Sequence, residues 1–106
     1  MPRALLINPS YRDSYGSSKA KIVDPVPGST LPSSVTFRWT AVTGASEYLL
    51  HVGTVLGGFD VFNGSTGLNL TRTVTNLPRN KPLYVRLWTR NGATWSYSDQ
   101  NYTGGL

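Results

Sequence analysis

Hydrophobic residues recur at every second position along this chain, in short runs. Val35, Phe37 and Trp39 alternate with Thr36, Arg38 and Thr40. Tyr48, Leu50 and Val52 alternate with Leu49 and His51, and Leu83, Val85 and Leu87 with Tyr84, Arg86 and Trp88. A period of two belongs to a strand with one buried face. The alternation predicts strands over 35–40, 47–52, 59–62, 68–75, 83–90 and 93–102. Turns are predicted at 42–45 and 63–67, a loose glycine-rich stretch at 54–58 and a corner at 76–82. The prolines of 25–32 mark a rigid loop, because proline cannot donate to a ladder. No stretch carries the period of an amphipathic helix. The expected fold is all-β: a single antiparallel β-sandwich over 21–106, preceded by an arm over 1–20.

Asn91-Gly92 stands between two alternating runs, the strongest short-range hairpin signal. Placing both residues in a type I′ turn sets Trp88 opposite Trp95, Arg86 opposite Tyr97 and Tyr84 opposite Asp99. One face then carries Tyr84, Arg86, Trp88, Trp95, Tyr97 and Asp99. The other carries Leu83, Val85, Leu87 and Thr89 against Thr94, Ser96, Ser98 and Gln100. Sending the leucines and valine to the core turns the aromatic face outward. The opposite phase would bury Arg86 and Asp99 and expose Leu83, Val85 and Leu87.

Composition narrows the function. The 106 residues suffice for one domain with one core. There is no cysteine, which excludes disulfides and thiolate sites. No apolar run is long enough to span a membrane, and no membrane partner is expected. The net charge of +5 comes from scattered Lys and Arg, without the clustered basic face of a nucleic-acid reader. One histidine, His51, and five acids, Asp13, Asp24, Glu47, Asp60 and Asp99, leave little for acid–base catalysis. Glu47 and Asp60 could approach across neighbouring strands, although a solvated pair is the plainer reading. No metal site and no cofactor is expected, and the chain is read as non-catalytic.

The residues Pro25-x-Pro27-Gly28, Phe37-Arg38-Trp39, Tyr48-x-Leu50-x-Val52-Gly53, Asn76-Leu77-Pro78 and Tyr84-Val85-Arg86-Leu87 resemble an immunoglobulin or fibronectin type III-like sandwich. That resemblance implies a core role for Trp39. Leu83, Val85 and Leu87 take the core phase where the family would bury a tyrosine, so Tyr84 is expected outward. The opening Leu5-Leu6-Ile7-Asn8-Pro9 resembles the start of cobalamin-binding radical-SAM enzymes, without the cysteine triad or cobalamin-ligating histidine motif of that family.

Two tryptophans remain beyond the one the fold requires. Trp88 and Trp95, extended by Tyr84 and Tyr97 and edged by Arg86, Asp99 and Gln100, suit a sugar. A pyranose has an apolar C–H face that stacks on a ring, and hydroxyl edges that need planar polar partners. The face resembles non-catalytic carbohydrate-binding modules, and a flat strand surface suggests β-linked glucans. Such a module would be extracellular within a larger secreted protein, or cytoplasmic if the chain is complete. The other reading is a fibronectin III-like spacer or protein-interaction domain. In that case the rings are covered by the arm or by residues 54–62, or serve self-association.

Overall fold

The computed structural model describes residues 19–105. The expected arm over 1–20 therefore lies almost wholly outside the described residues. Eight strands form two packed sheets: β1 (Ile22–Asp24), β2 (Thr30–Leu31), β3 (Val35–Trp39), β4 (Glu47–Gly53), β5 (Phe62–Gly67), β6 (Thr71–Val74), β7 (Pro82–Asn91) and β8 (Thr94–Gly104). A three-stranded sheet runs β1-β3-β6 and a five-stranded sheet runs β2-β8-β7-β4-β5. The chain is an all-β sandwich of the immunoglobulin-like type. The pairing is antiparallel except for β2, which runs parallel to the end of β8.

The core is what the alternation predicts. Phe37 and Trp39 from the small sheet meet Tyr48, Leu50, Val52, Leu83, Val85, Leu87 and Tyr102 from the large one, all of them buried. Phe37 meets the Tyr102 ring edge to face at 5.8 Å, and Trp39 meets Tyr48 at 6.2 Å. Tyr84 is turned outward as expected. Tyr102, on the adjacent strand, buries its ring instead and donates its hydroxyl to the Pro25 carbonyl at 2.8 Å. Burial, with Asp24 nearby, pushes its phenol up to about 12. Ala20, assigned to the arm, is also fully buried. Its amide donates to Thr89 Oγ1 at 2.9 Å and its carbonyl accepts from Ser98 Oγ at 2.8 Å. Ala20 is thus fastened to the inner face of the β7–β8 hairpin, the face opposite Trp88 and Trp95.

Four expectations need correction. The hairpin turn is Gly92-Ala93, with Asn91 already paired to Thr94. Gly92 has φ +60°, which puts the left-handed residue at the first central position, as a type II′ turn requires. Trp88 therefore faces Tyr97, Arg90 faces Trp95 and Arg86 faces Asp99. The shift is two residues, one full pleat, so every side chain keeps its face. Second, residues 63–67 are not a turn: they form most of β5, the edge strand, paired to β4 across a bulge at Tyr48/Leu49. Third, residues 59–61 precede that strand instead of forming one. Fourth, the run 68–75 contracts to Thr71–Val74, leaving Leu68 exposed.

Candidate functional site

The outer face of the large sheet reads as rows across β5, β4, β7 and β8. One row is Ser65, Leu49, Trp88 and Tyr97; the next is Asn63, His51, Arg86 and Asp99. On the turn side of these, Glu47 lies opposite Arg90 and Arg90 opposite Trp95. On the other side Gly53, Tyr84 and Asn101 form the last row. This geometry follows from strict alternation on two long central strands, which leaves all odd β4 positions and all even β7 positions on one side.

The aromatic side chains converge on Trp88. Its ring meets Trp95 at 6.1 Å and Tyr97 at 5.0 Å, and the His51 ring lies 6.3 Å away. The two indoles stand at 89° to each other, forming a corner, not a flat platform. Leu49, His51, Trp88 and Trp95 line an open groove of about 380 Å³. Trp95 and Tyr97 are 39% and 40% exposed, while Trp88 is half-buried at the base of the corner. No core function accounts for this exposed surface.

The remaining expected site residues divide. Arg86 and Asp99 form a two-pronged ion pair, Nε to Oδ1 at 2.8 Å and Nη2 to Oδ2 at 2.9 Å. The guanidinium also lies 3.8 Å over the Tyr97 ring, and its pKa is raised chiefly by the hydrogen bond to Asp99. Gly57, at φ +76°, brings its backbone close against the same guanidinium; a Cβ there would lie 3.2 Å from Nη1. Tyr84 stands beyond Arg86, away from the groove. Gln100 faces Val85, in the other phase of β8, so it does not belong to the aromatic face. Glu47 and Asp60 do not form a carboxylate pair. Glu47 takes Arg90 and Ser65, whereas Asp60 takes the Thr54 hydroxyl and amide, which hold it below the ordinary carboxylate range.

Sequence reasoning missed four residues: Leu49, His51, Asn63 and Ser65. The signal for the first two was present, because Leu49 and His51 share the outward phase of β4. For the others it was hidden, because Asn63-Gly64-Ser65-Thr66-Gly67 has the composition of a turn.

His51 is the one titratable group in the groove wall. Its Nδ1 accepts from the Trp88 indole N–H at 3.3 Å, and its ring packs 4.9 Å from Phe59. An imidazole that accepts at Nδ1 carries its proton on Nε2. Burial lowers its pKa from 6.5, a hydrogen bond to Asn63 opposes this, and the Arg86 charge adds to the lowering. A histidine with a lowered folded pKa contributes stability that is complete above the unfolded value of 6.5. That stability is lost as pH falls below 6.5 towards the folded pKa. Urea midpoints measured between about pH 5 and 7 should therefore rise with pH. His51→Asn, which keeps an acceptor and does not titrate, should flatten the rise.

No protein-family model matches the chain, and no curated protein matches it. Among solved structures it is similar to an engineered protein, at 19% identity and a TM-score of 0.62, over 82% of this chain and 20% of that one. It is also similar to a Jonesia denitrificans lytic polysaccharide monooxygenase, at 17% identity and a TM-score of 0.51, over 76% of this chain and 60% of that one. The chain thus matches only a fifth of the first chain and three fifths of the second. The likeness is one of fold.

Proposed function

We propose that this domain is a non-catalytic glycan-binding module and that its site is the groove of Leu49, His51, Trp88 and Trp95. The observation that carries the reading is the indole corner, opening to solvent on the outer sheet face while Trp39 fills the core. An apolar sugar face gains by leaving water for such a ring, and nothing in the packing of the sandwich requires the second and third tryptophans. The sandwich is a scaffold it shares with a lytic polysaccharide monooxygenase, but the reading rests on the groove. The test is calorimetry of the intact chain against soluble glucans, xylan, xyloglucan and mannan. Binding to at least one, with displacement by its oligosaccharide, supports the module; no heat with any of them sinks it.

The interaction-domain reading is favoured by one further observation. Val55, Leu56 and Phe59 are exposed on the loop between β4 and β5, and Phe59 packs against His51. An apolar tip of this kind is a common protein contact. Sedimentation over a dilution series separates the two, since self-association through this loop would raise the mass with concentration and glycan binding would not.

A further inference from the structure

The groove is not symmetric about Trp88. On the β8 side the charged residues are already engaged: Arg86 and Asp99 satisfy each other, and the guanidinium is packed on Tyr97 and under Gly57. On the β5 side the situation is different. The cross-strand partners of Leu49 and His51 are Ser65 and Asn63, both exposed, and Glu47 is the next outward residue on β4. Ser65 Oγ donates to Glu47 Oε2 at 2.6 Å and accepts from the Gly67 amide at 3.2 Å, so it holds the carboxylate in place. Arg90 Nη1 donates to Oε1 at 3.4 Å. A carboxylate offers about four acceptor sites, so each oxygen of Glu47 keeps one for a ligand. Asn63 stands exposed directly across from His51 on β5, and its side-chain amide carries two N–H donors and a carbonyl acceptor.

We propose that Glu47 and Asn63, with Ser65 as the positioning residue, form the edge that reads the hydroxyls of a bound sugar. Its apolar face lies against Trp88 and Trp95. This rests on the glycan-binding reading and specifies its ligand: a neutral glycan segment of one or two residues, a chain end or a bend. Charge argues for neutrality. A uronate would bring a second carboxylate beside Glu47, and the cation there, Arg90, is already paired with Glu47. Shape argues for a short segment. Rings at 89° offer no common plane for a long flat chain, and 380 Å³ lies near the lower end of ligand pockets, ~300–1,000 Å³.

The test uses the intact chain with maltotetraose, cellotetraose, xylotetraose and mannotetraose as neutral probes and tetragalacturonate as the anionic one. Amide shifts on the unaltered chain should move at Glu47, Asn63 and Ser65, and stay still at Asp99 and Asn101. Glu47→Gln and Asn63→Ala should each weaken the bound neutral probe about tenfold. Glu47→Gln should also narrow the gap between neutral and anionic probes, which a merely structural role would not do. If Trp88→Ala removes binding but these two variants do not weaken it, or the shifts map to Asp99 and Asn101, the edge is misplaced and the groove reading stands. Tetragalacturonate binding as tightly as the neutral probes overturns the ligand class. If no probe moves a groove amide at millimolar concentration, both this proposal and the reading beneath it fall. Should a variant lose its fold, the shifts on the unaltered chain still decide.

Discussion

A Trp88→Ala chain is expected to lose glycan affinity by about 30-fold or more and still fold. The factor follows from its place. Buried aromatic anchors at the centre of a contact typically cost about 2 kcal/mol or more when truncated, and each 1.4 kcal/mol is tenfold. Trp88 is such a centre: it touches Trp95, Tyr97 and His51, and it forms the inner wall of the groove. Its removal also takes away the indole N–H that His51 accepts. The cost to folding is smaller, because the ring is half-buried on an outer face. Losing its ring contacts should cost about 1–2 kcal/mol, at ~0.5–1.5 kcal/mol for each aromatic pair and with water replacing part of the contact. Calorimetry with the bound glycan and a urea melt of the same sample check both halves. A variant that binds as well as the parent contradicts the site. Trp95→Ala should weaken binding with a smaller loss of stability, since Trp95 already gives 39% of its surface to water.

Phe37→Ala should do the reverse. Phe37 is fully buried between the sheets and sits edge to face on Tyr102. Truncating a buried phenylalanine costs about 3–5 kcal/mol, the lost transfer free energy plus the cavity left behind. A domain of this size has ~5–15 kcal/mol in total, so the variant should melt far below the parent and sit near the threshold of folding. Where it remains folded, its affinity for the glycan should be that of the parent, because Phe37 lies on the other sheet and touches no groove residue. A urea midpoint shifted by less than about 1 kcal/mol equivalent would mean that the core relaxes around the gap. The two variants together separate the side chains that hold the sandwich from those on its outer face.

The same separation explains how far the sequence could be read. Burial leaves a period-two trace, so the phase of β3, β4 and β7 was legible, as was the outward turn of Trp88, Trp95 and Tyr97. Register is a weaker signal. Asn91-Gly92 suits the centre of a turn, yet Gly92-Ala93 places the glycine at the first central position and lets Asn91 join the ladder. Because the displacement is a full pleat, the face survived while the neighbours changed: Trp88 gained Tyr97 as its partner, and Arg86 gained Asp99. The Arg86–Asp99 ion pair was hidden for that reason, since only direct opposition closes the two side chains on each other. The β5 edge was illegible for a different reason. Asn63-Gly64-Ser65-Thr66-Gly67 lacks the apolar alternation that marks a strand, and forms one because the bulged β4 offers it a ladder. Tertiary pairing outweighed local propensity there.

The way Ala20 is fastened has a mechanical consequence. The chain enters at Thr89 and Ser98, towards the turn end of the hairpin, and leaves along β8 to Gly104, beside Pro82 at the other end. The six steps from Ser98 to Gly104 place these two anchor points roughly 20 Å apart along one strand at ~3.3 Å per residue. A pull applied to residues 20 and 105 therefore runs along β8. It loads the ladder with β7 in shear, so that many hydrogen bonds must yield together instead of one after another. Under such a pull the domain would act as a stiff coupling, with its groove on the outer face of the strands that carry the load.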